Sequence, residues 1–438
     1  MNYLYRLEKL IFYTLIFSIP FQTRVVWRSW GIGFNEWNSA FLYFTDLLIL
    51  ALFGFWFLRL VFKKGEFKFS NYDWFLISFL IISAISIKNA SNQALGFYQL
   101  LKLSEFSLLY FYIKSNLGQI FNLVMAFFVF LFSGVFQAAL SIIQYLKQSD
   151  LGLRFLGETV LNPDLFNVAI FMVEGEKILR PYGTLPHPNV LALFLFMAVF
   201  IYYFFYIQGD KFLRSKTGLL IYSVLLFGFL LTFSRVIIFV WLAGLGLRWL
   251  FLKKVFGKIA QTISLKGLTI ATSAVLIIFS FLFWPHISAR LDISPQDEAV
   301  ALRSFYGKIA TFEKPFFGVG IGNFVNWFKE VSPGLASNLY QPVHNIYLLI
   351  FSETGIPGLA AFLLFLFFLS KNYLKLKFTQ PFHYSFFIIF ASLLFFGLFD
   401  HFLWTIQQGQ LVFWLGLGLI ASLTFNEGQN YNWQRGKK

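Results

Sequence analysis

Three short polar segments carry the residues best suited to chemistry. They are Arg180-Pro-Tyr-Gly-Thr-Leu-Pro-His187-Pro-Asn189, Thr232-Phe-Ser234-Arg235 and Pro342-Val-His344-Asn345. Each leads into a long apolar run, so each stands where a helix should begin. The first turn of a helix leaves N–H groups unpaired and carries the positive end of the helix dipole. Such ends bind anions. Arg180 and Arg235 add guanidinium forks, which stay charged and grip phosphate oxygens in pairs. His344 adds a proton acceptor that works near neutral pH, and a helix start disfavours its charged form. The pattern points to a phosphate-bearing substrate beside a general base. His187, Asn189, Asn345 and Arg303 follow as residues for substrate contact or loop bracing.

Each residue also has a plainer reading. Arg235 could snorkel to lipid headgroups, Ser234 or Thr232 could cap a helix, His187 could be a turn residue between two prolines, and His344 an interfacial histidine. What favours a site is their joint occurrence, because cations and histidines gathered at helix starts mark pathways and sites in membrane proteins.

The elements that must position these residues are membrane helices. Of the 438 residues 58% are hydrophobic and 13% charged, and mean hydropathy is +0.69. Soluble chains are about 45–50% apolar and about 25% charged, so composition excludes both a soluble globule and a disordered chain. The net charge of +15 is read as topogenic rather than as a nucleic-acid surface. There is no cysteine, which removes disulfides, thiolate zinc sites and cysteine nucleophiles. The 63 Phe are read as interchangeable apolar positions, with an aromatic carbohydrate platform as the other reading.

An all-α polytopic bundle of twelve spans is expected, near 7–22, 39–62, 72–87, 94–113, 117–146, 189–208, 217–233, 235–252, 265–284, 344–370, 382–400 and 406–425. The first is read as a retained helix, since Phe17–Gln22 lacks a small-residue cleavage pattern. The 217–252 run splits in two at Thr232–Arg235. Placing both termini in the cytoplasm puts the larger share of Lys and Arg inside, among them Lys63, Lys114, Lys211, Lys253, Lys371 and Lys437. Two long segments, 147–188 and 285–343, then lie outside and are expected to be functional. The second contains an amphipathic helix around Ala299–Phe312, ending at Lys314-Pro315. It either lies in the membrane interface or closes over the bundle as a lid. The chain is expected to form one domain without internal repeats.

The remaining motifs are less telling. Gly318-Val-Gly320-Ile-Gly322 has no strand–helix context for a nucleotide and reads as a tight turn. Gly355 and Pro357 should kink the tenth span. Glu353 lies nine residues past His344, about two and a half turns on, so it should face away from His344 as a structural carboxylate. Asp400-His401 is either a hydrogen-bonded pair or a boundary. No His, Asp and Glu set has the spacing of a metal motif, and no metal or other cofactor is expected.

Across residues 180–420 these motifs resemble the O-antigen ligase and polymerase superfamily. The resemblance rests on R-x-Y-G-T-x-x-H-P-N, a helix entered by Ser234-Arg235, the G-V-G-x-G-N-F segment, H-N-x-Y-L with Glu353 and two glycines behind it, and the Asp400-His401…Trp404…Gln408-Gly409 tail. The first 150 residues match only as a helical bundle. The resemblance implies a bacterial inner-membrane glycosyltransferase of the GT-C type, with its site at the periplasmic face. It implies a glycan donor on undecaprenyl diphosphate and an acceptor hydroxyl on lipid A–core, on another glycan or on a protein. Its functional arginines fall on Arg180 and Arg235 and its essential histidine on His344. The partners expected are that donor, the acceptor and membrane lipids, and no nucleic acid. The competing class is a flippase for lipid-linked glycans, which inverted repeats and helices broken at the midplane would favour.

Overall fold

A computed structural model describes residues 2–30, 34–255, 265–291, 298–310, 316–376 and 381–425. Phe312, Lys314, Pro315 and Lys437, used in the sequence reading, lie outside them. The described chain is mostly helical. In order it runs α1 (Asn2–Ser18), β1 (Arg24–Ser29), β2 (Ser39–Tyr43), α2 (Phe44–Val61), α3 (Asp73–Ser86), α4 (Gln93–Asn116), α5 (Leu123–Lys147), β3 (Ile170–Val173), β4 (Glu176–Leu179), α6 (Pro188–Ile207), α7 (Lys216–Leu230) and α8 (Arg235–Val255). It continues α9 (Lys266–Leu282), α10 (Trp284–Leu291), α11 (Glu298–Ile309), α12 (Phe324–Val331), α13 (Ile346–Lys375), α14 (Pro381–Phe396), α15 (Phe402–Thr405) and α16 (Gln407–Phe425).

A helix overlaps each of the twelve apolar segments. Among the described residues, five are long and apolar enough to cross a membrane: α2, α5, α6, α13 and α16. A sixth candidate is α9 joined to α10, bent by 84°. The sequence reading missed two antiparallel hairpins, β1–β2 and β3–β4. Residues 39–43 pair with β1 instead of opening the second span. Their apolar side chains run straight into those of α2, so nothing in hydrophobicity marks the change.

The central element is α6. From Val190 to Ile207 every residue is buried, so an apolar helix that reads like a lipid-facing span is enclosed by protein. It packs on α5, α7, α8 and α14. Its start is fixed by Pro188 at the first turn, where no N–H is needed, and by His187, whose Nδ1 accepts the Asn189 N–H at 3.1 Å.

Buried ion pairs tie the N-terminal helices. Arg59 bonds Glu8 at 2.7 Å, Lys102 bonds Asp46 at 2.7 Å, and Lys114 bonds Asp73 with both side chains fully buried. Breaking one such pair leaves an uncompensated charge and costs about 3–5 kcal/mol. Lys114 is therefore a paired core residue within the last turn of α4 and not a loop charge.

The break in α13 is built into its sequence. Gly355 has φ +75°, where a side chain is strained. Pro357 has no N–H for the carbonyl four residues back, that of Glu353. The glycine turn supplies the missing donors: Val319 N–H bonds the Ser352 carbonyl at 2.8 Å and Gly320 N–H the Glu353 carbonyl at 3.0 Å. A Cβ on Gly318 would stand 2.3 Å from the Glu353 carbonyl carbon. The glycine motif is thus the partner of the kink.

Candidate functional site

The three polar segments converge. Asn189, at the start of α6, joins the first two to Asp400, whose neighbour His401 packs on His344 of the third. Asn189 Oδ1 accepts from Arg180 Nη2 at 2.9 Å and from Ser234 Oγ at 3.2 Å, and its Nδ2 donates to Asp400 Oδ2 at 3.2 Å. Of its two expected roles, substrate contact and loop bracing, these bonds supply the bracing. Asn345 is occupied likewise: its Oδ1 caps α13 by accepting from Tyr347 N–H and Leu348 N–H.

Arg180 is held from behind by α5. Gln144 Oε1 accepts the N–H groups of Tyr182 and Gly183, and Gln137 Oε1 accepts that of Thr184. The loop is therefore a fixed shelf. Arg180 is buried, and its Nε donates to the Thr232 carbonyl at 2.8 Å. The next carbonyl, that of Phe233, accepts from Arg290 Nη2 at 3.3 Å, while Arg235 Nη1 reaches the Arg290 carbonyl at 3.5 Å. The tight turn between α7 and α8, with Phe233 at φ +46°, turns its carbonyls toward two arginines. Arg290, on α10, was not singled out in the sequence, where it is one basic residue in a long polar segment.

These cations act on one another. The Arg180 guanidinium is pushed down to about 9, by burial first and then by Arg290, Arg235 and Arg303, against the opposing pull of Tyr182. A group of like charges held this close is a site for an anion.

Beside the arginines lie three histidines and a carboxylate. His344 and His401 meet edge to face with ring centroids 5.0 Å apart. Asp400 accepts the His401 N–H on Oδ1 at 2.8 Å, and His401 Nδ1 is bonded to Thr405 Oγ1 at 2.7 Å. His344 Nδ1 is buried without a hydrogen-bond partner. Burial lowers the His344 imidazole below its ordinary value and Arg303 lowers it further, while Asp400 and the Pro342 carbonyl pull it up. His187 and His401 are each pushed down to about 3, by burial first. Burial would raise Asp400, but His401, His344, His187 and the Asn189 amide outweigh it and hold the carboxyl below its usual range. The cluster is an ionised carboxylate among neutral imidazoles.

The amphipathic helix α11 is a lid. Tyr306 is 1% exposed, stacks on His344 with centroids 5.8 Å apart and planes at 18°, and bonds the Leu339 carbonyl at 2.6 Å. Arg303 shares this helix and acts on Arg180, His187, His344 and His401. Glu353, expected to face away from His344, accepts from Trp404 Nε1 at 3.2 Å. The helical-phase argument for that separation does not apply, because α13 begins at Ile346, after His344.

Among the described residues, His344, Asp400 and His401 form one group whose ligand atoms, one from each, lie within 4.8 Å of one another. Two imidazoles and a carboxylate suit a divalent transition metal. Sequence spacing could not reveal this set, because its members come from distant segments. The neighbouring arginines oppose a dication at that position and favour an anion.

The chain matches no known family model and no curated protein sequence.

Proposed function

We propose that the chain is a multi-pass glycosyltransferase of the bacterial inner membrane, similar to the O-antigen ligase and polymerase superfamily. It would transfer a glycan from undecaprenyl diphosphate to an acceptor hydroxyl. The proposal keeps twelve spans, both termini in the cytoplasm and the 147–188 and 285–343 segments in the periplasm. The observation that carries the reading is the adjacency of an arginine group, with Arg180 buried at its centre, to a histidine with an unpartnered nitrogen, at the starts of three helices.

In the reaction, the acceptor O–H gives its proton to His344 as the oxygen attacks the anomeric carbon. The bond from that carbon to the diphosphate oxygen breaks, and its electron pair leaves on undecaprenyl diphosphate. Arg180, Arg235, Arg290 and Arg303 stabilise the charge that develops there. Preorganised donors of this kind supply the largest share of many rate enhancements. One displacement inverts the anomeric carbon. Asp400 stabilises the imidazolium that His344 becomes, and the Tyr306 lid excludes water, which would otherwise accept the glycan. Fixed cations take the place a divalent metal holds in many such enzymes.

The test is reconstitution of the full chain in liposomes with an undecaprenyl-diphosphate-linked glycan. Release of undecaprenyl diphosphate together with glycan on an acceptor is expected. Passage of intact donor across the bilayer would favour the flippase instead.

A further inference from the structure

A cavity adjoins the cluster on the side of His401, and neither Asn189 nor Arg180 lines it. It is lined by the turn between β1 and β2, by α4, the glycine turn, α13 and the α15–α16 segment, and its space, open mouth included, is about 930 Å³. Pro342 and Thr405 line it, the first two residues from His344 and the second bonded to His401. Trp37 lines it and packs edge to face on His401, with centroids 5.4 Å apart.

The lining has a definite chemistry. Trp37, Trp404 and Tyr98 offer flat apolar faces, and Gln99, Gln407 and Glu36 offer acceptors or donors. Lys102, also in the wall, is neutralised by Asp46 and Glu105. Gln407 is 3% exposed. Its Nε2 is committed to Thr45 and Asp46, and its Oε1 is buried with no partner. A buried unsatisfied acceptor requires an explanation, and a donor brought by a ligand would supply one. Glu36 is likewise paired, with Arg24 at 2.6 Å, so a lipid tail would leave the amides unmet and an anion would face the unpartnered Gln407 oxygen. A neutral sugar meets both kinds of wall: its C–H faces stack on indole, and its hydroxyls both donate and accept.

We infer that this cavity is a carbohydrate subsite that holds the acceptor, so that His344 stands between an acceptor sugar on the Trp37 side and the donor diphosphate on the Arg180 side. The assignment of roles rests on the proposed function, whereas sugar binding in the cavity does not.

The experiment uses the full chain in detergent and in liposomes, as wild type, Trp37→Ala, Trp37→Phe and Gln407→Leu. Saturation-transfer NMR with chitotetraose and with lactose, one bearing acetamido groups and one not, reads the cavity directly. Signal from at least one sugar is expected for wild type and Trp37→Phe, and its loss for Trp37→Ala. In the transfer assay, Trp37→Ala and Gln407→Leu should raise the acceptor KM by about tenfold, with donor affinity unchanged. Absence of sugar signal in wild type, or equal signal in Trp37→Ala, would overturn the subsite. Weakened donor binding with an unchanged acceptor KM would overturn its assignment to the acceptor, as would a peptide hydroxyl used equally well by wild type and Trp37→Ala. If wild type binds sugar but transfers nothing, the proposed reaction fails and the subsite stands.

Discussion

Asp400 is bonded to Asn189, Oδ2 to Nδ2 at 3.2 Å, and this one contact couples the arginine shelf to the histidine cluster. Asn189 spends its oxygen on Arg180 and Ser234, so the carboxylate senses both halves of the site. Asn189→Ala should therefore disturb both, weakening donor binding and lowering turnover together. Removing a bond to a charged group costs about 1.5–3 kcal/mol. Donor affinity and single-turnover rate, measured on the same preparation, check this.

The pH profile follows from two groups. His344 works as the neutral base and is held below its ordinary value, which is about 6.5. Turnover should hold from neutral pH downward and fall only below that ordinary value. Arg180 keeps its charge throughout, because a guanidinium is not deprotonated in proteins, so donor binding should stay level at alkaline pH. Arg303→Ala removes a like charge and should move the acidic limb to higher pH. Asp400→Asn removes the opposing charge and should move it to lower pH. Shifts of the same sign in both variants would refute the electrostatic account.

Arginine geometry can be separated from arginine charge. Arg180→Lys and Arg235→Lys should insert normally yet bind donor less tightly, because an ammonium lacks the planar fork. Alanine should be worse at each position. Full activity in all four variants would leave the arginines as an interfacial belt.

The kink in α13 gives a stability test. Gly355→Ala places a Cβ 2.3 Å from the Phe316 carbonyl oxygen at a φ of +75° and should lower stability by about 1–3 kcal/mol, read as thermal unfolding in detergent. Pro357→Ala should cost less, because the Glu353 carbonyl already has the Gly320 N–H.

What the sequence made legible was local. Arg180, Arg235 and His344 stood out because each sits where an apolar run begins, and the three helix starts do meet. The break between α7 and α8 and the kink at Gly355 followed from polar and Pro/Gly signals with direct backbone consequences. What stayed hidden depends on contacts across the fold. Asp400-His401 read as a hydrogen-bonded pair or a boundary, and nothing local placed it against His344. Arg290 had no local mark. Asn189 and Asn345 could each contact substrate or brace a loop, and only the fold shows Asn189 bonded on both amide atoms and Asn345 Oδ1 capping α13. The two hairpins were masked by apolar continuity with adjacent helices, and nothing in α6 distinguishes a protein-enclosed helix from a lipid-facing one.

The most direct test of the central claim is the single-turnover rate of His344→Ala with donor bound. A general base contributes about 10²–10⁴-fold. The variant should insert normally, bind donor as wild type does and lose turnover by that factor. Turnover near the wild-type rate would remove His344 from the chemistry, and with it the reading of this cluster as a glycosyl-transfer site.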